Sequence, residues 1–173
     1  MIAAGQTVGR SKYHWCTAYV GLGRNLQGPA AQVQTAFELL AEIPSTRLIA
    51  RSSLYRSAPY GGVEQPEFVN AAAALLTQLS ARQLLMELKQ IETRRGRDGD
   101  EVRWGPRVLD LDLLVYSGET IAEDGLVVPH PGITERNFVL LPLLELAPEL
   151  VIPGIGRLAS LPVNVSEPLI EKI

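Results

Sequence analysis

A single cysteine, Cys16, stands in a chain of 173 residues, which excludes an intrachain disulfide and any metal site built from several thiolates. That scarcity fits a reducing compartment, so a cytoplasmic location is expected. No apolar run approaches the roughly 20 residues of a membrane helix. Residues 1–15 carry Arg10, Lys12 and His14 without a continuous apolar stretch, a pattern unlike a secretory signal. They are read as a disordered extension ahead of one domain, residues 16–173. Basic excess is missing too: the formal net charge is −3, which argues against nucleic acid as the main partner. The Walker pattern Gly-x-x-x-x-Gly-Lys is absent, and Gly21-Leu22-Gly23-Arg24-Asn25 is too incomplete for a dinucleotide fingerprint. No repeat, low-complexity tract or linker interrupts the chain.

What is present points to a single globular domain. The chain is 46% apolar and 20% charged, enough to bury a core without staples. Thr17 to Leu22 reads as a strand, and Val33, Ala36, Phe37 and Leu40 then recur at helical spacing. Arg47 to Tyr55 and Phe68 to Thr77 read as two further strands. Pro59, Gly61, Gly62 and Pro66 punctuate the long loop between them. Ser80 and Gln83 form a capping box ahead of the stripe Leu84, Leu85, Leu88 and Ile91, and Gly96 ends that helix. Val108 to Tyr116 alternates as a fourth strand. The order βαββαβ predicts a ferredoxin-like α+β sandwich. A C-terminal extension follows, with a short strand at Leu126 to Val128 and a helix from about Thr134 that Pro142 is expected to kink or divide. Residues beyond Pro148 carry no functional signal.

The chemistry concentrates in Arg103-Trp104-Gly105-Pro106-Arg107-Val108-Leu109-Asp110-Leu111-Asp112. Residues two apart on a strand share a face, so Asp110 and Asp112 project together, roughly 6–7 Å apart along the chain. Such a pair suits magnesium, a hard cation that takes one or two carboxylates and fills its remaining positions with phosphate oxygens and water. A solvated strand face is the plain alternative. Aspartate is disfavoured in strands, however, and Arg97, Arg103 and Arg107 nearby supply the planar donor forks that match phosphate. His130 between Pro129 and Pro131 is a further phosphate candidate, as is Arg136. Trp104 offers a face for stacking, with Phe68 and Phe138 as weaker candidates, and Asn70 needs polar partners inside an apolar strand. These residues by themselves indicate a magnesium-dependent enzyme acting on a phosphate ester or anhydride.

The same ten residues resemble the signature R-W-G-P-R-x-L-D-L-D of the pterin pyrophosphokinases of folate synthesis. The resemblance runs from about Ala18 to Glu149 and includes Gly21 to Leu26, Gln65 to Asn70, Ile91-Glu92 to Gly96-Arg97, and Val128-Pro129-His130. It implies transfer of pyrophosphate from Mg-ATP to 6-hydroxymethyl-7,8-dihydropterin, with release of AMP. Two magnesium ions on Asp110 and Asp112 are implied, with Arg97 and Arg107 on the β- and γ-phosphates. Lys89, Glu92, Trp104, His130 and Arg136 would complete the ATP site. The pterin would stack at Trp104 and Phe138 with Phe68 alongside, while Asn70 and the backbone around Ser57, Ala58 and Tyr60 read its edge and Asp110 lies nearby. A monomer working on two small molecules, with neither nucleic acid nor membrane as partner, is expected.

This chain departs from the family pattern at Arg24, often serine; Ala58, often proline; Lys89, where glutamine is an alternative; and Gly99-Asp100, where basic residues occur. An RNA-binding module and a phosphatase or nuclease are the competing classes. The acidic balance counts against the first, and the second would not need a pterin.

Overall fold

The computed structural model describes residues 14–25, 28–59, 66–96, 109–164, 166 and 168–173. Strand β1 (Cys16–Arg24) alternates buried and half-buried positions along its whole length, as a strand covered by helices on one side should. Helix α1 (Pro29–Ala41) follows, with proline in its first turn and Val33, Ala36, Phe37 and Leu40 buried, the four positions that the periodicity picked out. Next come β2 (Thr46–Arg51), β3 (Tyr55–Ser57) and β4 (Phe68–Thr77). The expected continuous strand from Arg47 to Tyr55 is therefore broken. Ser52 is the cause: its N–H donates to the Ala72 carbonyl at 2.9 Å while its own Oγ accepts the Ala72 N–H at 2.8 Å, so a side chain replaces one rung of the ladder.

Helix α2 (Ala81–Gly96) opens with the anticipated capping box. The Ser80 N–H donates to Gln83 Oε1 at 2.9 Å, and the Gln83 N–H donates to Ser80 Oγ at 3.2 Å. Strand β5 (Asp110–Tyr116) pairs with β1. Strands β6 (Ile121–Glu123) and β7 (Leu126–Val128) then form a hairpin, and Arg82 of α2 ties it down through Glu123 Oε2 at 2.7 Å and the Asp124 carbonyl at 2.9 Å. The Val128–Pro129 bond is cis.

Two helices follow, α3 (Gly132–Glu135) and α4 (Asn137–Leu146), and the division falls at Arg136 rather than at Pro142. Arg136 is extended, closing α3 through its N–H to the Gly132 carbonyl and starting α4 through its own carbonyl, while buried Pro142 sits within α4. The tail holds more than the one strand and helix expected of the extension. A hairpin of β8 (Val151–Ile152) and β9 (Gly156–Arg157) and a 3-10 turn, Leu158–Ser160, precede β10 (Ile170–Lys172), which returns to the main sheet.

The main sheet runs β10-β3-β4-β1-β5, with β2 on the same side of β4 as β3, and every neighbouring pair is antiparallel. One face carries Ala18, Val20, Leu22, Ala71, Ala73, Leu75, Leu111 and Leu113 against α1 and α2. The other meets α3 and α4 through Leu114 and Val115, consecutive residues that share this face because the β1–β5 register shifts between Tyr19 and Val20. Cys16 is buried, as a small hydrophobe would be. Before it, Trp15 has the Arg47 guanidinium 4.8 Å from its ring centroid. Among the described residues no helix is long and apolar enough to cross a membrane.

Candidate active site

Asp110 and Asp112 are the half-buried positions of β5, alternating with buried Leu111 and Leu113. Their partners across β1 are glycines, Gly23 for Asp110 and Gly21 for Asp112. Gly23 also lies opposite Asn70 of β4, so Asn70, Gly23 and Asp110 form one row across three strands. Strand spacing puts the two ends of that row roughly 10 Å apart, and the glycine between them contributes no side chain. A Cβ at residue 23 would lie 3.2 Å from Asn70 Oδ1, so glycine keeps this floor open.

Asn70 is buried and its Nδ2 donates to Ser57 Oγ at 2.9 Å, which answers the need for a polar partner inside the strand. Ser57 lies opposite Phe68, which is half-buried. The Ala58 N–H is engaged by the Leu169 carbonyl at 3.0 Å.

Two further elements converge on β5. From α2, Glu92 Oε1 accepts the Leu111 N–H at 2.7 Å, holding the backbone between the two aspartates. Lys89 brackets the same carboxylate with contacts of 3.1 and 2.9 Å. From the turn after β7, the His130 N–H donates to the Leu114 carbonyl at 2.9 Å, which fixes His130 two residues along the strand from Asp112. His130 Nδ1 accepts the Gly132 N–H at 3.0 Å; an accepting Nδ1 places the ring proton on Nε2, where it can donate to a phosphate oxygen. A Cβ at residue 132 would stand 3.0 Å from His130 Nδ1 and 3.3 Å from Arg136 Cδ, so these two candidates flank one glycine. Phe138 is half-buried as the second residue of α4.

Tyr60, Arg97, Arg103, Trp104 and Arg107 lie outside the described residues. Arg24, one of the departures, is buried at the end of β1; burial and then the nearby Arg95 charge lower its pKa. Its place in the alternation of β1 could have signalled this burial.

A group with no sequence signal joins α4 to the sheet edge. Glu145 takes the Tyr55 hydroxyl at 2.6 Å on one oxygen and the Ser53 hydroxyl at 2.9 Å on the other, with Lys172 at 3.3 Å. Burial by itself would raise the Glu145 pKa, but the Tyr55 and Ser53 hydrogen bonds and Lys172 hold it below the usual range. Tyr55 is pushed well up by burial and by the same carboxylate.

Comparison with known proteins covers the strands and helices that carry Asn70, Glu92, Asp110, Asp112 and His130. Residues 19–148 match the model of the family described as 7,8-dihydro-6-hydroxymethylpterin-pyrophosphokinase (HPPK). The 2-amino-4-hydroxy-6-hydroxymethyldihydropteridine pyrophosphokinase of Pseudomonas aeruginosa is 48% identical over 139 residues, covering 80% of this chain and 85% of that protein. Its namesake in Haemophilus influenzae is 44% identical over 138 residues, covering 80% and 86%. Among solved structures, an HPPK-DHPS in complex with substrates aligns with a TM-score of 0.68 at 14% identity, over 84% of this chain and 42% of that one. Wild-type Plasmodium falciparum HPPK-DHPS with pteroate aligns with a TM-score of 0.68 at 16% identity, over 84% and 41%. The chain spans less than half the length of those two structures, and at such identity the likeness speaks to the fold alone: mixed α and β with an antiparallel sheet.

Proposed function

The chain belongs to the 7,8-dihydro-6-hydroxymethylpterin-pyrophosphokinase family, and on that premise we propose how its residues carry out pyrophosphate transfer from ATP to the pterin. It is an ATP-dependent pyrophosphokinase of folate biosynthesis. The hydroxymethyl oxygen of the pterin attacks the β-phosphorus in line. One P–O bond forms there, the bond from that phosphorus to the oxygen it shares with the α-phosphate breaks, AMP leaves, and the hydroxyl proton is lost.

The observation that carries the reading is the row Asn70-Gly23-Asp110. Its glycine floor admits a flat bicyclic ring, with the amide at one end reading the ring edge and the carboxylates at the other facing the phosphates. Ser57, already the acceptor for Asn70, orients that amide. The carbonyl of Ala58, the backbone at Tyr60 and the rings of Phe68, Trp104 and Phe138 complete the pterin pocket.

Asp110 and Asp112 suit magnesium. They are half-buried oxygen donors on one face, and magnesium fills the positions that one or two carboxylates leave with phosphate oxygens and water. Two ions are proposed there, supplying charge neutralisation for the triphosphate when bound. Arg97 and Arg107 hold the β- and γ-phosphates, His130 donates through Nε2, Arg136 adds charge, and Lys89 with Glu92 and Trp104 borders the nucleotide. These groups work by positioning and electrostatics, the main sources of acceleration in phosphoryl transfer.

The strand order, with β2 and β3 counted as one interrupted strand, supports a ferredoxin-like sandwich over residues 16–173. A monomer in the cytoplasm, where ATP is available, fits the reaction.

Incubation with ATP, magnesium and 6-hydroxymethyl-7,8-dihydropterin, followed by separation of nucleotides, tests the function. AMP that forms only with pterin present is the expected product. ADP would indicate a simple kinase, and inorganic phosphate without pterin a hydrolase.

A further inference from the structure

We propose that the returning C-terminal segment braces the pterin pocket and that Asn137 is the positioning residue that anchors it, setting affinity for pterin rather than for ATP. The inference rests on the reading of Ser57, Ala58 and Phe138 as pterin contacts.

Asn137 is the first residue of α4, immediately before Phe138, and is only 5% exposed. Its Nδ2 donates to two carbonyls of the tail, Asn164 at 2.6 Å and Pro168 at 2.8 Å. Its Oδ1 is buried without a hydrogen-bond partner among the described residues. The side chain thus bears a desolvation cost on its oxygen and is used as a double donor to the tail.

One residue past Pro168, the Leu169 carbonyl takes the Ala58 N–H at 3.0 Å. Ile170 then lies opposite Ser57, Glu171 opposite Arg56 and Lys172 opposite Tyr55, and the Ile173 N–H reaches the Leu54 carbonyl at 2.9 Å. Lys172 closes the loop on Glu145 in the last turn of the helix that Asn137 begins.

The segment is therefore bonded next to Phe138 at one end and along Ser57 and Ala58 at the other. Strand β3 has three residues, and β10 supplies its second ladder. Without that ladder β3 would be a short edge strand, free to fray at Ser57.

The candidates for the triphosphate are held independently. Asp110, Asp112, Glu92 and His130 belong to β5, α2 and the turn after β7, and Arg136, although adjacent to Asn137, is fixed through its own N–H to the Gly132 carbonyl at 3.0 Å.

The test uses the full-length enzyme and Asn137→Leu, which keeps the branching at Cγ and removes both donors, with Lys172→Met as a milder cut at the other end. In Asn137→Leu the KM for pterin is expected to rise about tenfold and the KM for ATP to stay within about twofold. Exchange of the Ala58 amide should quicken by a similar factor. Lys172→Met should move the same two readouts in the same direction by about two- to threefold.

A pterin KM that stays at the wild-type value, or one that rises in step with the ATP KM, overturns the brace. So does an unchanged Ala58 exchange rate. If Asn137→Leu does not melt cooperatively, Lys172→Met decides the matter on the same criteria. A wild-type enzyme that releases no AMP with pterin defeats the functional reading itself. An active wild type with unresponsive variants defeats only the brace.

Discussion

The two faces of the sheet are filled by different rules. Under α1 and α2, every inward position of β1 from Cys16 to Leu22 meets an apolar partner, and Phe37, Leu40, Leu84 and Leu88 close the layer. On the opposite face β1 presents Gly21 and Gly23, β4 presents Asn70 and Ala72, and β5 presents Asp110 and Asp112. Apolar closure resumes only at Leu114, Val115, Ile133, Leu140 and Leu143. One strand thus serves both purposes: its alternate residues make a core on one side, while on the other Gly21 lies under Leu114 and Gly23 lies beside Asn70. Large side chains contribute stability through the area they bury, whereas a substrate site requires that area to remain unfilled.

That contrast can be broken most sharply at the carboxylates. Asp110→Ala or Asp112→Ala should lower turnover by about 10³-fold or more while the thermal melt stays close to that of the parent. Near-normal AMP release by both variants would take the metal role away from this face.

The converse experiment addresses the helix-covered face. Leu88→Ala removes a fully buried side chain of α2 and should cost about 2–5 kcal/mol in denaturant unfolding, with both KM values unchanged at temperatures where the protein is folded. A change in substrate affinity larger than the change in stability would show that the faces are not independent.

The subtlest test concerns a side chain that links them. Glu92 starts from α2 yet holds the Leu111 N–H between the aspartates. Glu92→Ala should reduce kcat about tenfold, and Glu92→Gln, which keeps an acceptor for that N–H, should restore most of it. If Gln is as poor as Ala, the charge shared with Lys89 matters more than the hydrogen bond.

Much of the helix-covered face is legible in the chain because its signals are local. Val33, Ala36, Phe37 and Leu40 announce a helix by spacing alone, and Ser80 with Gln83 marks where the next one begins. The shared side of Asp110 and Asp112 follows from strand geometry, and their chemistry from what carboxylates bind. Local rules misjudge the places where distant groups intervene. Ser52 breaks a strand because Ala72, twenty residues away, exchanges hydrogen bonds with it. Pro142 predicts an interrupted helix, but the interruption falls at Arg136, whose N–H is taken by Gly132.

By itself the amino-acid order determined most of the helices and strands up to β5, the shared side of Asp110 and Asp112 and, through its motifs, the family, since each depends on residues within a few positions of one another. Tertiary structure alone decided that Gly23 separates Asn70 from Asp110, that Glu92 reaches β5, and that the tail returns to lie against β3. Those pairings join groups far apart in sequence. They are selected by which surfaces must be buried together and by the requirement that each buried donor find an acceptor, conditions that exist only once the chain has folded.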